Sequence, residues 1–332
     1  MSKRNLSICL VLAWSLSATL LSAQMSGQIV VDYRDPSWFR YHEGGSFFLC
    51  APGNPEGFLY RGTINPNGTR NGDQVGLLAK LAPTGANGIY RFEHHKHLIW
   101  VVAEEYDEVW STAEASQLSQ IIRAADDHNH PIAVHQSSGL SFDFPTDPNV
   151  DQFAIQHDET NSDSVNADMV TAWNDAAGRY NLNLSEAHDW GTGVVARRNG
   201  WAAAMGGANV MHLDWDIVGT PVARLEECGA LRTFFETVDL AGMSPENALG
   251  YQSTSFVLAL RGERYIAYAR QAGSIGIRDL PEGKPIQRWL DTVTGTVIEL
   301  RESIAGGDTL LIRPGGIGNE ADVALIYDPI FW

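Results

Sequence analysis

Residues 98–106 read LIWVVAEEY, six apolar residues in a row that end directly in Glu104, Glu105 and Tyr106. A strand that is apolar along its whole length is typical of a parallel sheet buried on both faces. The acidic residues then follow the carboxyl end of the strand, where the βα loops of an α/β fold open and functional groups collect. This stretch therefore predicts a buried strand that delivers carboxylates to one rim of the fold.

The same pattern recurs along the first three quarters of the chain. Further apolar runs predict strands at 47–50, 88–90, 132–135, 152–156, 182–185 and 210–214. Amphipathic stretches between the runs predict helices at 73–81, 112–127, 164–178, 194–205 and 221–238. This alternation predicts βα units around a parallel sheet, as in a TIM-type (β/α) barrel. With residues 98–103 the runs number seven, whereas a closed barrel of this type has eight strands.

The chain changes character near Met243, Ser244 and Pro245, because the helical period disappears there. Short strands separated by Gly, Pro and Asp follow at 255–260, 264–270, 286–290, 297–300, 309–312 and 323–327. This spacing is typical of a small antiparallel β-sandwich. We therefore expect a barrel over residues 28–249 and a sandwich over residues 250–332.

Residues 1–23 have the form of an export signal. Lys3 and Arg4 precede an apolar run over residues 6–21, and Leu21, Ser22 and Ala23 resemble a cleavage site. A transmembrane helix is the weaker alternative, since the run is short and no later apolar stretch could span a bilayer. We expect a secreted or periplasmic protein with no integral membrane segment once the signal is removed.

The chain is strongly acidic, with a formal charge of 23 − 40 = −17. A surface of that charge repels phosphate backbones, so a nucleic-acid partner is not expected. Cys9 lies in the export signal, which leaves Cys50 and Cys228 far apart in sequence. Two cysteines on apolar segments are not a disulfide framework, and buried unpaired thiols are favoured over a bridge.

Polar and aromatic residues follow several of the predicted strands and should meet at one rim. Glu105 and Glu186 on separate strands suit glycoside hydrolysis, in which one carboxyl protonates the leaving oxygen and the other attacks the anomeric carbon. The alternative is that these glutamates are simply solvated residues at strand ends. The predicted substrate-binding residues are Glu104, Tyr106, His135, His188, Trp190, Asp214 and Trp215.

No cofactor or metal is expected at this rim. Glu93 with His94, His95 and His97 could suggest zinc, but the segment is better interpreted as the end of a helix that enters a strand.

Several segments resemble one family, the apiosidase-like glycoside hydrolases. They are residues 46–62 (SFFLCAPGNPEGFLYRG), 100–106 (WVVAEEY), 185–191 (SEAHDWG), 288–291 (RWLD) and 294–295 (TG). Members of this family are (β/α)8 barrels that often end in a sandwich named as a collagen-binding domain. The resemblance covers nearly all of the chain after the export signal.

The resemblance implies an acid/base at the end of the fourth strand and a nucleophile at the end of the seventh. Glu105 matches the acid/base and Glu186 the nucleophile, while Glu104 stands where the family has a neutral residue. This departure leaves open that Glu104 is the acid. The implied mechanism is retaining, with the two carboxyl groups roughly 5 to 5.5 Å apart.

The same resemblance locates the missing strand. In the family a third strand and its flanking helices precede a segment like residues 91–96, whereas here Tyr90 runs straight into Arg91. We therefore expect an exported, retaining glycoside hydrolase that acts on polysaccharide side chains through a barrel without its third strand region. The alternative is a non-catalytic carbohydrate- or matrix-binding protein derived from that family. Nothing in the predicted sandwich, residues 250–332, which we call the tail, indicates collagen recognition.

Overall fold

The computed structural model describes residues 24–53, 62–67, 71–87, 97–213, 215–270, 273–318 and 322–328. The predicted export signal, the predicted strand 88–90, the histidines at 94 and 95, and Asp214 lie outside the described residues. The first described elements form a three-stranded antiparallel sheet of β1 (Ile29–Val31), β2 (Phe39–Tyr41) and β3 (Ser46–Phe47).

Six parallel strands form the central sheet, in the order β4-β9-β8-β7-β6-β5. They are β4 (Cys50–Pro52), β5 (Trp100–Val101), β6 (Ile132–His135), β7 (Gln152–His157), β8 (Asn181–Ala187) and β9 (Ala208–His212). The helices are α1 (Gln74–Leu81), α2 (Thr112–Ala125), α3 (Ser162–Ala176), α4 (Val194–Met205) and α5 (Val222–Glu236). The prediction of parallel βα units is confirmed.

The central sheet is a curled half-barrel. Its first strand, β4, pairs with its last strand, β9, which is the neighbour relation of a barrel. On the other side, β4 and β5 are the two edges of the sheet within the described ranges. Within the described ranges the sheet forms a half-barrel. The predicted second strand, 88–90, and the junction of Tyr90 with Arg91, where the third strand is expected to be missing, fall in a gap of those ranges.

Side chains alternate between the two faces of the central sheet, as expected for extended strands. Cys50 and Val210 belong to the large core shared with the helices, whereas Ala51 and Met211 pack against Phe39 of the first small sheet. The helices therefore cover one face and the β1-β2-β3 sheet packs on the other. Among the residues that the structure describes, no helix combines the length and apolar character needed to cross a membrane.

Antiparallel strands make up the rest of the chain. They form a six-stranded sheet in the order β10-β12-β13-β18-β15-β16 and a three-stranded sheet in the order β11-β14-β17. Their bounds are β10 (Ser244–Pro245), β11 (Gly250–Tyr251), β12 (Phe256–Leu260), β13 (Arg264–Ala269), β14 (Ser274–Leu280), β15 (Ile286–Asp291), β16 (Val297–Leu300), β17 (Gly307–Ile312) and β18 (Val323–Asp328). The prediction of antiparallel strands in this part is confirmed.

β14 is absent from the sequence prediction, as are the two-residue strands β10 and β11. Its sequence SIGIRDL contains a glycine and two adjacent charges, which weaken the strand pattern. Gly276 is needed because a Cβ there would lie 2.7 Å from the Tyr251 carbonyl oxygen on the neighbouring strand. The residue that hides the strand from sequence analysis is the one that lets β11 approach it.

The prediction that Cys50 and Cys228 are unpaired is wrong, because the two residues form a disulfide. Their Cα atoms lie 5.5 Å apart although 178 positions separate them in sequence. The reason is topological: β4 pairs with β9, and α5, which follows β9, packs against β4. The first parallel strand and the last helix are therefore neighbours, which sequence spacing alone does not reveal.

A buried ion-pair network joins the tail to the helices. Asp322 precedes β18 and is fully buried; its two carboxylate oxygens accept from Arg198 at 2.9 and 2.8 Å and from Arg197 at 3.2 Å. Tyr268 also donates to Asp322, at 3.2 Å. Desolvation opposes ionisation of Asp322, but the two guanidinium groups outweigh it and keep its pKa below the usual value. The tail and α4 are thus held by charge as well as by apolar packing.

We expect Asp322→Asn to lower the free energy of unfolding by about 3–5 kcal/mol, because the substitution leaves the Arg198 guanidinium without its buried counter-charge and leaves Arg197 with Glu227 alone. Urea denaturation measures the change. The stabilisation is full above the ordinary aspartate pKa of 3.8 and is lost as the pH falls through the lowered pKa. The control is Glu299→Gln, which removes an exposed carboxylate that also pairs with two arginines, Arg288 and Arg301, and should leave the midpoint unchanged.

A glycine pair tests the packing of α5 on the turn after α1. A Cβ at Gly229 would lie 1.9 Å from the Thr84 carbonyl oxygen, whereas a Cβ at Gly76 in α1 would meet nothing within 4 Å. We expect Gly229→Ala to cost about 1–3 kcal/mol of unfolding free energy through overpacking. The matched Gly76→Ala should instead add up to about 1 kcal/mol through helix propensity. Equal effects of the two substitutions in chemical denaturation would contradict the close approach.

Candidate active site

A β-bulge in β8 sets the direction of Glu186. The register between β7 and β8 runs from Ile155↔Leu184 to Gln156↔Glu186 and passes over Ser185. The Ser185 hydroxyl donates to the Ile155 carbonyl oxygen at 3.2 Å across this irregularity. Because Ile155 and Leu184 face the helices, their successors in the ladder, Gln156 and Glu186, face the opposite side. Simple alternation without the bulge would turn Glu186 into the helical layer.

His135 ends β6 and lies beside Glu186. Its neighbour Val134 belongs to the core under the helices. Because side chains alternate along a strand, the imidazole points to the face of the sheet opposite the helices, which we call the inner side. The Nε2 atom of His135 lies 3.7 Å from Oε2 of Glu186. The other ring nitrogen, Nδ1, accepts a hydrogen bond from the backbone N–H of Glu105 at 3.0 Å. One imidazole therefore stands between the two glutamates that sequence analysis selected.

The hydrogen bond from Glu105 defines the state of His135. A ring nitrogen that accepts from an N–H carries no hydrogen, so the neutral imidazole has its hydrogen on Nε2, toward Glu186. Burial lowers the pKa of His135, and the nearby charges of Glu105 and Asp107 oppose this only in part. The site thus holds a neutral imidazole whose Nε2–H lies near the Glu186 carboxylate, at 3.7 Å from Oε2, without forming a hydrogen bond to it.

The loop after β5 has a strained backbone at Glu105, where φ is 47° and ψ is 55°. Non-glycine residues seldom adopt this left-handed conformation, and such positions concentrate at functional sites. The loop is tied to the next one by Asp107, whose carboxylate accepts from the Ser137 N–H at 2.9 Å and from the Ser137 hydroxyl at 2.6 Å. Glu104 is exposed, whereas Glu105 is half-buried beside His135.

Tyr106 and His188, two predicted substrate-binding residues, differ in exposure. Tyr106 is buried, packs edge-on against Phe144 and donates its hydroxyl hydrogen to Asp143. His188 is exposed on the loop after β8.

Trp190 and Trp215 pack below the rim. Both are buried, and their indole N–H groups donate to backbone carbonyls, Trp190 to Glu159 at 2.7 Å and Trp215 to Gly191 at 2.8 Å. Trp215 also stacks on His212 with ring centroids 4.1 Å apart. In this structure the two indoles order the loops after β8 and β9.

Gln156 is a site residue that the sequence prediction left out. It is paired with Glu186 across the bulge, and its buried Oε1 has no hydrogen-bond partner among the described atoms. The available signal was its position at the end of an apolar run, the same signal that selected His135. An amide beside a carboxylate can orient a bound hydroxyl group through its N–H and C=O.

Comparisons with known proteins identify the fold. No protein-family model matches the chain, and no curated protein matches it. A solved structure described as a glycoside hydrolase aligns at a TM-score of 0.61 and 12% identity, over 91% of this chain and 97% of the other.

Two structures from Bacteroides vulgatus ATCC 8482 are similar to the chain to about the same degree. A glycoside hydrolase of family 5 has a TM-score of 0.61 and 11% identity, over 91% of this chain and 94% of the other. A second glycoside hydrolase has a TM-score of 0.58 and 11% identity, over 91% and 82% of the two chains. The chain therefore has a glycoside hydrolase fold of the TIM-barrel type, and these likenesses do not extend to the apiosidase-like family or to a collagen-binding domain.

His135 should make the stability of the protein depend on pH. As the pH falls through its lowered pKa, the imidazole gains a hydrogen on Nδ1. The protonated Nδ1 can no longer accept the hydrogen bond from the Glu105 N–H. The stabilisation is full above the ordinary histidine pKa of 6.5 and is lost below it. We expect His135→Asn to remove this loss of unfolding free energy at acidic pH, since the asparagine amide oxygen can accept the hydrogen bond from the Glu105 N–H without titrating. Urea denaturation at a series of pH values measures the unfolding free energy of each variant. The exposed His188→Asn variant should show the same pH dependence as the wild type.

Proposed function

We propose that the protein is a retaining glycoside hydrolase, with Glu186 as nucleophile and Glu105 as acid/base. One observation carries this assignment: the bulge in β8 turns Glu186 to the inner rim beside His135, and the same imidazole accepts from the backbone of Glu105. Two carboxyl groups from separate strands are thereby held near one shared side chain. The glycoside hydrolase fold of the structural neighbours supports the proposal, and the resemblance to the apiosidase-like enzymes selects the same two glutamates.

In the proposed first step, Glu105 donates its proton to the glycosidic oxygen while a carboxylate oxygen of Glu186 attacks the anomeric carbon. The bond from that carbon to the leaving oxygen breaks, and a covalent glycosyl-enzyme forms. In the second step Glu105 accepts a proton from water, whose oxygen attacks the same carbon and releases Glu186. The net configuration at the anomeric carbon is retained because two displacements occur.

His135 positions the nucleophile in this scheme. Its Nε2 atom lies 3.7 Å from Oε2 of Glu186, so the buried ring limits where that carboxylate can move. The hydrogen bond from the Glu105 N–H holds the ring in this position. One imidazole lies beside both the Glu105 backbone and the Glu186 carboxylate. A movement of the loop that carries Glu105 would therefore shift the imidazole and change the surroundings of Glu186.

Substrate and location are further parts of the proposal. The resemblance favours side chains of polysaccharides as substrates, and the half-buried, carboxylate-lined rim suits a sugar. The disulfide between Cys50 and Cys228 supports export, since such bonds persist in oxidising compartments. We propose that the antiparallel tail is a structural accessory held to α4 by Asp322, in place of a collagen-binding role.

The proposal is tested with a panel of chromogenic glycosides. We expect Glu186→Gln to abolish hydrolysis, and Glu105→Gln to reduce kcat by about 10²–10⁴-fold on substrates with poor leaving groups, because general acid catalysis is lost. Glu104→Gln compares the neighbouring candidate acid, and the exposed Glu108→Gln is the matched control that should retain activity. Full activity of Glu186→Gln would overturn the assignment.

A fluorinated mechanism-based glycoside separates catalysis from binding. It should label Glu186 covalently, which mass spectrometry of the digested protein would locate. Sugar binding without hydrolysis or labelling, unchanged in Glu186→Gln, would instead favour the non-catalytic carbohydrate-binding alternative.

A further inference from the structure

A second cluster of reactive side chains lies on the opposite face of the central sheet from Glu186. Cys50 on β4, His212 on β9 and Cys228 on α5 bring two sulfur atoms and an imidazole nitrogen within 4.8 Å of one another. All three residues are buried. They line a pocket between the sheet and the helices α4 and α5. The proposed hydrolysis uses none of them.

Polar atoms in this pocket lack partners. The Nδ1 atom of His212 and the Oε2 atom of Glu227 are buried without a hydrogen-bond partner among the described residues. Leaving such an atom unsatisfied is unfavourable, because it loses its hydrogen bonds to water on burial, so native proteins seldom keep one without a ligand or water. The imidazole and the carboxylate both line the pocket beside the cysteines.

The helix next to the cluster is built to admit the imidazole. Gly200 in α4 faces His212, and a Cβ at that position would lie 3.0 Å from Cε1 and 3.2 Å from Nε2 of the ring. A larger residue would push the ring toward the cysteines or out of the pocket. The stack of Trp215 on His212 restricts the ring from the other direction. The imidazole is thus fixed before any ligand arrives.

We propose that Cys50, Cys228 and His212 bind one zinc ion when the cysteines are reduced, so that disulfide and zinc are alternative cross-links between β4 and α5. Thiolates and a neutral imidazole are preferred zinc ligands, and three protein ligands leave one tetrahedral position for water. The unpaired oxygen of Glu227 faces the pocket and would accept a hydrogen bond from that water. This inference is independent of the proposed glycosidase activity.

The chemistry of the exchange is balanced by a dithiol reductant. Two electrons and two protons from the dithiol convert the disulfide to two thiols, and the dithiol becomes a cyclic disulfide. Zinc binding then releases two protons, one from each thiol, while His212 donates its nitrogen lone pair. A small-molecule disulfide that accepts two electrons, and is itself reduced to two thiolates, would re-form the Cys50–Cys228 bond and release Zn²⁺.

The test measures zinc in the full chain. Protein reduced with dithiothreitol under anaerobic conditions, incubated with zinc chloride and gel-filtered, should retain about one zinc ion per chain by elemental mass spectrometry. The same protein left oxidised should retain none. His212→Asn, Cys50→Ser and Cys228→Ser should each lose the metal, whereas His157→Asn is a control that should keep it.

Two further measurements guard against misfolding. Circular dichroism checks that the oxidised and reduced forms share one fold, and Co²⁺ in place of zinc should give thiolate charge-transfer absorption that His212→Asn alters. Zinc should raise the melting temperature of the reduced protein and leave that of the oxidised protein unchanged. A reduced wild type that retains no zinc, whether folded or not, would overturn the proposal. Zinc retained equally by His212→Asn and by the cysteine variants would also overturn it.

Discussion

The parallel pairing of β4 with β9 is the constraint on which the rest of the structure depends. Cys50 is opposite Val210 and Ala51 is opposite Met211, so the first and last parallel strands share one register. Through this pairing, α5 packs against the first strand, Cys50 and Cys228 meet, and His212 joins them. On the opposite face the same two strands supply the apolar residues against which the first small sheet packs. A local ladder of three residue pairs thus arranges both faces.

The site adds a second constraint, since it needs an exception to regular alternation. A regular β8 would direct Leu182, Leu184 and Glu186 to one face, and that face is the helical core. The bulge at Ser185 places the apolar residues of β8 on the helical face and Glu186 on the opposite face. Stability and chemistry can therefore be encoded in one short strand without placing a charge in the core.

Sequence patterns predicted the elements well where local periodicity decides them. The strand Ile132–His135 and the helix Val194–Met205 have the predicted bounds, because apolar alternation and helical period are local properties. Contacts between residues far apart in sequence depend on sheet topology, and sequence patterns did not predict them. The disulfide joins residues whose proximity follows from sheet order, and β14 contains a glycine required by its neighbour.

The candidate site shows the same division. Position at a strand end selected Glu105, Glu186 and His135, which the structure brings together. Position after a strand also selected Trp190 and Trp215, although their burial and backbone hydrogen bonds follow from how the loops pack. Which neighbour of a Glu-Glu pair faces inward depends on one backbone angle, the positive φ at Glu105, and no propensity encodes it.

The helix α4 has a consequence for how this chain could be inherited. Residues 199–205 are buried without a break for almost two turns, so this part of the helix has no side that faces water. Trp201 lies between Phe234 of α5 and the ring of Tyr268 from the tail, on which it stacks at 5.3 Å. A gene fusion or deletion that exchanged the tail for another module would expose a seam of alanines and an indole. The two architectures are thus bound to evolve together, and a new tail would have to bring its own cover for this helix.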